Sequence, residues 1–482
     1  MALELQLDEL ELALMLDPDA DGEKAFERAC IFGALGRIDE AMHAYYDVLH
    51  RRPDHFGALN NLAVLLTDRG LRRTALQAYT LLVQRHPDSA IAHSHLASVL
   101  HAEGRSDEAV AHYERALGLD PTAASAHHGL ATILSERGDE QAATRERRLG
   151  YTHRPVTFGR FRGEGEPVRL LVLGVDGEGN VPTKSFFDDR IFAIASLIVG
   201  FYDAEKELPS HDLVFNAIGD ADRCALELTA ANTLLARTTA PVINPPSKVL
   251  VTGRVANGDR LGALPDVIAP RFGIFPRWLL DRSNAAAALE ASGFEWPLLL
   301  RAPGYHTGQH FLKVEEPGAT ASALASLPGS AVIAIAFLDT RSTDGAFRKY
   351  RIITVDGAIY PLHLAVSKDW KVHYFSADMV EVPEHRAEDA AFLEDPRGTI
   401  GARAYSALEQ IVATLDLDYG GVDFSIDADG RVVLFEANAT MIVQKPPEGA
   451  IWDYRRKPVE RIIAAVQTML RERAQGGLAR RG

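Results

Sequence analysis

Residues 420–441 read GGVDFSIDADGRVVLFEANATM, two apolar runs around Asp427-Ala428-Asp429-Gly430. Asp-Gly is strongly favoured at the centre of a two-residue hairpin turn. With Asp429 and Gly430 central, 428 pairs with 431 and Asp423 falls opposite Glu436. Side chains repeat every second residue along a strand, so Asn438 shares that face. Two carboxylates then sit roughly 5 Å apart across a strand pair. At an effective dielectric near 20 they repel by about 3 kcal/mol. A divalent cation would offset that repulsion. Asp423, Glu436 and the Asn438 side-chain carbonyl form an all-oxygen donor set, which suits Mg²⁺ or Mn²⁺ rather than zinc.

Two other readings of the segment compete. Ser425, Asp427, Asp429, Gly430 and Glu436 occupy positions 1, 3, 5, 6 and 12 of a helix-loop-helix calcium loop. Position 1 lacks its Asp, and both flanks read as strands, so the calcium reading fails. The plainer alternative is a solvated strand face carrying ordinary acids. Elsewhere, Gly177-Glu178-Gly179 imitates the start of a dinucleotide fingerprint but lacks its third glycine, and no Walker A sequence occurs. Thr183 and Lys184 beside it are candidates for small-molecule contacts.

The chain that must position these groups has 482 residues, enough for two to four domains. A formal charge of −15 argues against a nucleic-acid or anionic-membrane binder. Two distant cysteines, Cys30 and Cys224, offer neither a disulfide framework nor a metal cluster, which suits a reducing cytoplasm. The acidic, amphipathic start lacks the basic residues of a secretion signal, and no apolar run is long enough to span a bilayer. A cytoplasmic protein is expected.

Pro53, Pro87, Pro121 and Pro155 recur at intervals of 34, as do Gly36, Gly70, Gly104 and Gly138. Ala41, Ala75, Ala109 and Ala143 keep the same period, with Tyr45, Tyr79 and Tyr113 and the column Ala29, Ala63, Ala97 and Ala131. This period and SDEAVAHYERALGLDP resemble the tetratricopeptide repeat. About four repeats are expected within a domain spanning 1–153, with helix 3–16 as a cap. The resemblance implies a peptide or protein partner on a concave face, or a packing module that could serve a homodimer. A linker is expected at 154–167, where Gly, Pro and Arg are frequent. Beyond it, strands alternating with helices predict a parallel α/β domain at 168–262, then a mixed α+β domain at 263–474. The last helix is expected from Pro458 to Arg473, with a disordered tail at 475–482.

GVDFSIDADGRVVLFEANATM resembles the metal-binding segment of the ATP-grasp superfamily, notably glutathione-synthetase and D-alanine–D-alanine ligase types. The family pattern is Asp, Glu thirteen residues later and Asn two further on. The resemblance implies ATP and Mg²⁺ (or Mn²⁺) held by Asp423, Glu436 and Asn438, with 168–262 as the preATP-grasp lobe and the rest as the gripping lobes. It is carried further by PLLLRAPGYHTGQHFLKV, where Arg301 replaces the usual lysine and Gly304 and Gly308 flank a phosphate-covering loop. Lys248 and Arg254 compete for the first phosphate or adenine contact. IAIAFLD is similar to the hinge strand that meets adenine, with Asp339 near the ribose position. Arg351 in KYRIITVDG matches the arginine gripping the γ-phosphate or acyl-phosphate, while Lys349 replaces that pattern's Asp. The implied activity is an ATP-dependent carboxylate–amine ligase acting through an acyl-phosphate on an amino acid or peptide. Arg351 and Arg301 would stabilise the developing charge, and His306, His363 or His373 could assist. The competing reading is a non-catalytic ATP-binding scaffold whose repeats bind a partner protein.

Overall fold

A computed structural model describes residues 2–16, 22–280, 284–303, 310–372, 377–446 and 449–479. The chain divides into two compact units. One comprises Met1–Pro167 with Asp189–Ala193 and Phe201–Asp203, and the other holds the remainder.

The first unit contains helix α1 (Ala2–Leu16) and four helix pairs: α2 (Glu23–Ala34) with α3 (Ile38–Arg51), α4 (Phe56–Asp68) with α5 (Arg72–Arg85), α6 (Ala90–Ala102) with α7 (Ser106–Leu119), and α8 (Ala124–Glu136) with α9 (Glu140–His153). The 34-residue columns explain the pairing. Gly36, Gly70, Gly104 and Gly138 all take positive φ between +72° and +84° in the turn inside each pair, a conformation that costs any other L-residue. Ala41, Ala75, Ala109 and Ala143 are wholly buried, so paired helices approach closely. Each column proline stands two residues beyond a second helix, where it cannot continue the turn. Leu7 buries α1 against the first pair, as a cap requires. The segment expected as a linker is more ordered than its composition suggests. It holds strand β1 (Val156–Phe158), and Arg160 Nη2 donates to Gly33 O at 2.6 Å. An arginine that satisfies a helix-end carbonyl ties this stretch to the repeats.

The second unit opens with β2 (Val168–Gly174), β3 (Phe192–Ile198, whose first two residues belong to the first unit), β4 (Leu213–Asn216), α10 (Ala225–Leu235) and β5 (Val242–Ile243). β3, β2, β4 and β5 are neighbours in that order, and β2–β4 and β4–β5 are parallel, as the α/β alternation predicts. After α11 (Pro246–Leu250), α12 (Arg254–Gly262) and β6 (Val267–Ile268) comes a four-stranded antiparallel sheet. It is built from β7 (Phe272–Pro276), β8 (Leu298–Arg301), β9 (Phe311–Val314) and β10 (Ala331–Ala336), in the order β7-β10-β8-β9. α13 (Ala285–Ala291) and α14 (Thr320–Ser326) pack into its core through Leu289 and Leu324.

The third sheet contains β11 (Phe347–Val355), β12 (Ala358–Ser367), β13 (Tyr419–Ile426) and β14 (Val432–Asn438), in the order β12-β11-β13-β14-β6. α15 (Pro383–Glu394) and α16 (Pro396–Leu415) precede β13. The last helix, α17 (Arg456–Ala479), passes both Arg473 and the start of the expected disordered tail. Burial of Ala474 after Leu470 gives that extra turn an apolar anchor. Residues 480–482 lie outside the described residues.

Candidate functional site

Asp423 does pair with Glu436, but by another route than a two-residue turn. Asp427 O accepts from Gly430 N at 3.0 Å and Gly430 takes φ +76°. This is a type I turn closed by a left-handed glycine, in which 427 rather than 428 faces 431. The register therefore starts one residue off, with Ile426 opposite Val432 and Phe424 opposite Leu434. A bulge at Phe435 inserts one residue and brings Asp423 opposite Glu436. Gly421 then faces Asn438. A Cβ on Gly421 would lie 2.5 Å from Ile352 O, so glycine lets the strands approach here.

The same row continues across two more strands. Asp423 on β13 is opposite Arg351 on β11, which is opposite His363 on β12. Glu436, Asp423, Arg351 and His363 thus stand side by side across four strands. The cations offset the paired carboxylates. Arg351 grips Asp423 with two hydrogen bonds, Nε to Oδ1 at 2.5 Å and Nη2 to Oδ2 at 2.7 Å. Lys349 Nζ lies 2.9 Å from the same Oδ2. Arg254 Nη2 donates to Glu436 Oε1 at 2.7 Å. Burial alone would raise the Asp423 pKa. Arg351 and Lys349 overcome it and hold the carboxyl well below its usual range. Glu436 follows the same logic, its pKa pushed up by burial and by Asp423 but brought down overall by Arg254, Arg301 and Arg351. Burial, and next the neighbouring Arg254, pull Arg301 down to about 10.

Arg254 is positioned at both ends. It opens α12, its backbone N–H meets the Asp222 carboxylate at 3.1 and 3.2 Å, and Asn257 one turn on donates to Ala437 O. Lys248 instead pairs with Asp416 at 2.8 Å and does not line the cavity beside the carboxylates. Of the two candidates, only Arg254 reaches the site. Asp339 is likewise turned away, gripped by its neighbour Arg341 at 2.5–3.0 Å and absent from the cavity wall. The Asp-x-Arg spacing makes that local pair easy to form. Gly304, Gly308, His306 and His373 lie outside the described residues. Thr183 and Lys184 do not line this cavity.

A cavity of about 550 Å³ lies over the row. Its wall includes Arg254, Arg301, Lys349, Arg351, His363, Asp423 and Glu436. Ile335, Ala336, Phe337 and Leu338, where β10 runs out into irregular chain, line it as well. Main-chain N–H and C=O groups leaving a strand in this way can meet the edge of a flat heterocycle. Trp370 stacks edge-on against Phe311 and Phe337, at 5.3 and 6.3 Å between centroids. Lys313 lies 4.1 Å above the Phe337 ring. Nothing in the sequence pattern marked Trp370 or Arg455 as cavity residues.

Asp423, Glu436 and Asn438 fit a hard divalent cation in donor chemistry. Asp423 and Glu436 face each other, and among the described residues Glu436 Oε2 has no protein partner. Among the described residues no group of three or more His, Cys, Asp or Glu side chains is placed to hold a metal ion, so a third donor beside the two carboxylates would have to be the amide. At present Asn438 Nδ2 donates to Glu436 Oε1, while Asn438 Oδ1 accepts from the backbone and hydroxyl of Thr440 at 3.0 and 2.8 Å. A cation here must draw Asp423 from Lys349, and Asn438 from Thr440.

A tetratricopeptide repeat profile matches residues 26–71 and 65–124. No curated protein sequence matches the chain. Similar solved structures include MamA 41-end from Desulfovibrio magneticus RS-1, at 21% identity over 31% of this chain and 83% of that one, with TM-score 0.29. A tetratricopeptide repeat protein from Parabacteroides merdae is 20% identical over 32% and 60%, with TM-score 0.30. YrrB, described as a TPR protein with an unusual peptide-binding site, is 18% identical over 32% and 79%, with TM-score 0.28. Among the described residues, no helix is long and apolar enough to cross a membrane.

Proposed function

We propose that the second unit is an ATP-dependent carboxylate–amine ligase of ATP-grasp type, and that the repeats recruit a peptide or protein to it. The observation carrying this reading is the row Glu436–Asp423–Arg351–His363, joined by Arg254, Arg301 and Lys349 on the wall of one cavity. Four cations against two carboxylates leave an excess of positive charge, which suits a polyphosphate. The chain at Phe337 and Leu338 offers an adenine its hydrogen-bonding edge, and Ile335 an apolar face.

In the reaction, an oxygen of the substrate carboxylate attacks the γ-phosphorus. The bond between that phosphorus and the β–γ bridging oxygen breaks, giving ADP and an acyl-phosphate. The amine nitrogen then attacks the acyl carbon, phosphate leaves with the C–O bonding pair, and the nitrogen loses a proton. Both reactants of the first step are anionic. Arg351 and Arg301 lower that barrier by facing the charge from fixed positions, since little reorganisation is needed when they are already in place. Bound Mg²⁺ would supply further neutralisation of the phosphates. Steady-state ADP release over amino acids and peptides tests the reading. Acceptor-dependent release lost in Glu436→Gln is expected. Tight ATP binding without stimulation by any acceptor would point to the scaffold instead.

A further inference from the structure

Helix α1 keeps the register of the repeats. Leu7 stands 34 residues before Ala41, and it is buried as Ala41, Ala75, Ala109 and Ala143 are. α1 therefore corresponds in position to the second helices α3, α5, α7 and α9. On those helices the positions equivalent to Leu5 are Asp39, Arg73, Asp107 and Gln141, all exposed. Those equivalent to Leu12 are Tyr46, Thr80, Glu114 and Arg148, again all exposed. For Leu16 they are His50, Gln84, Gly118 and Thr152, exposed as well. Only Tyr46 among them has a large apolar body. α1 instead places leucine at all three positions, exposed by 63%, 58% and 78%. Spaced by seven and then four residues, the three share one side of the helix.

The charges beside these leucines select what can cover them. α1 carries Glu4, Asp8, Glu9 and Glu11 and no basic residue. Asp8 and Glu9 occupy the turn between Leu5 and Leu12. The Arg37 charge, at the head of α3, lies near Glu11 and Glu4 but is held by Glu40. Two copies of α1 laid together would set acids against acids. Helices that settle on membranes carry Lys and Arg on their polar side, the opposite of this one. We propose that α1 is a docking helix whose Leu5–Leu12–Leu16 side receives an amphipathic helix of a partner protein, with Lys or Arg bordering the apolar stripe of that helix. An apolar seam bordered by opposite charges is how paired helices choose partner and orientation.

The test uses the full chain and two fluorescein-labelled peptides, LKKLLKLLKKLLKL and its acidic twin LEELLELLEELLEL, followed by fluorescence anisotropy. The basic peptide should bind roughly tenfold more tightly, or better, than the acidic one. A chain with a charge of −15 would favour it to some extent anywhere on its surface. The deciding variant therefore combines Leu5→Gln, Leu12→Gln and Leu16→Gln, which leaves the charge unchanged and replaces only exposed side chains. It should weaken the basic peptide by roughly tenfold. Leu226→Gln, at another exposed leucine on α10, should change nothing. Asp8→Asn with Glu9→Gln should cost about threefold, less at high salt. Equal binding of the two peptides, or an unchanged affinity in the triple variant with its helix content intact, overturns the proposal. So does a dimer of the parent chain in sedimentation that the triple variant dissolves, since a second copy would then be the cover. Co-sedimentation with phosphatidylcholine vesicles, lost in the same variant, overturns it in favour of a lipid surface. The ligase cavity is built from residues of the second unit, so failure here leaves that reading untouched.

Discussion

Lys349→Met is the most informative single change, because Lys349 competes for the same carboxylate oxygen that a cation would need. Its Nζ lies 2.9 Å from Asp423 Oδ2, and that carboxylate is almost wholly buried. Methionine keeps the apolar stem and removes the charge. Asp423 is not orphaned, since both Arg351 hydrogen bonds remain. The loss is therefore one charge-assisted hydrogen bond, about 2 kcal/mol, rather than the larger cost of an uncompensated buried charge. A loss of that size lowers the melting temperature of the second unit by roughly 3 °C. Metal binding should move the other way. An ammonium about 5 Å from a dication is repelled by roughly 7 kcal/mol at an effective dielectric of 20, before salt screening. Even a fifth of that, about 1.4 kcal/mol, is tenfold in affinity. Calorimetric titration with Mn²⁺ in the absence of nucleotide, together with thermal unfolding, reads both effects. A variant that is less stable yet binds Mn²⁺ no better than the parent chain refutes the competition between Lys349 and the cation.

Glu436→Gln keeps size and shape at a half-buried position, so the fold should persist while ligase turnover drops by roughly a hundredfold or more; wild-type turnover refutes the metal assignment. Gly430→Ala places a Cβ at φ +76°; it should cost about 1–2 kcal/mol in urea unfolding of the second unit, and no loss would mean that the turn does not set the register. A pH effect is expected in the repeats. His93 Nε2 lies 3.0 Å from Pro87 O, which only accepts, so its Nδ1 accepts in turn from His112 Nδ1–H at 2.8 Å. Burial and then His93 lower the His112 pKa, against an opposing pull from Glu108. A histidine with a depressed folded pKa contributes stability that is complete above its unfolded value, near 6.5, and lost as pH falls through the folded one. One repeat later, His127 meets Glu146 at 2.7 Å in the equivalent places. His112→Glu should therefore remove or reverse the loss of hydrogen-exchange protection in α6 and α7 on acidification below 6.5, and an unchanged acid sensitivity would refute the pairing.

The repeats were legible because a 34-residue period carries small and turn residues to the same place four times, and a tyrosine three times. The Asp423–Glu436 pairing was also legible, although two errors cancelled: the turn is one residue longer than expected, and the bulge at Phe435 takes up the difference. A bulge depends on how strands coil in three dimensions, and no residue type marks it. The partners of the carboxylates were harder to foresee. Arg351 and Lys349 precede Asp423 by more than seventy residues, and Arg254 precedes Glu436 by 182. Strand order brings Arg351 and Lys349 to Asp423, and the docking of α12 on β14 through Asn257 brings Arg254 to Glu436. Asp339 shows the converse failure, for a sequence position near a hinge says little once Arg341, two residues on, claims the carboxylate. The stretch at 154–167 read as a linker because Arg160 has no local partner in the sequence, whereas its acceptor Gly33 lies 127 residues away.

The most direct test of the central claim is a crystal grown with Mn²⁺ and a non-hydrolysable ATP analogue, examined by anomalous scattering. The account predicts a manganese peak bridging Asp423, Glu436 and the analogue's phosphates, with Lys349 released from Asp423 and the adenine beside Phe337 and Leu338. An analogue bound elsewhere, or Asp423 still held by both Arg351 and Lys349 with no peak beside it, would contradict it.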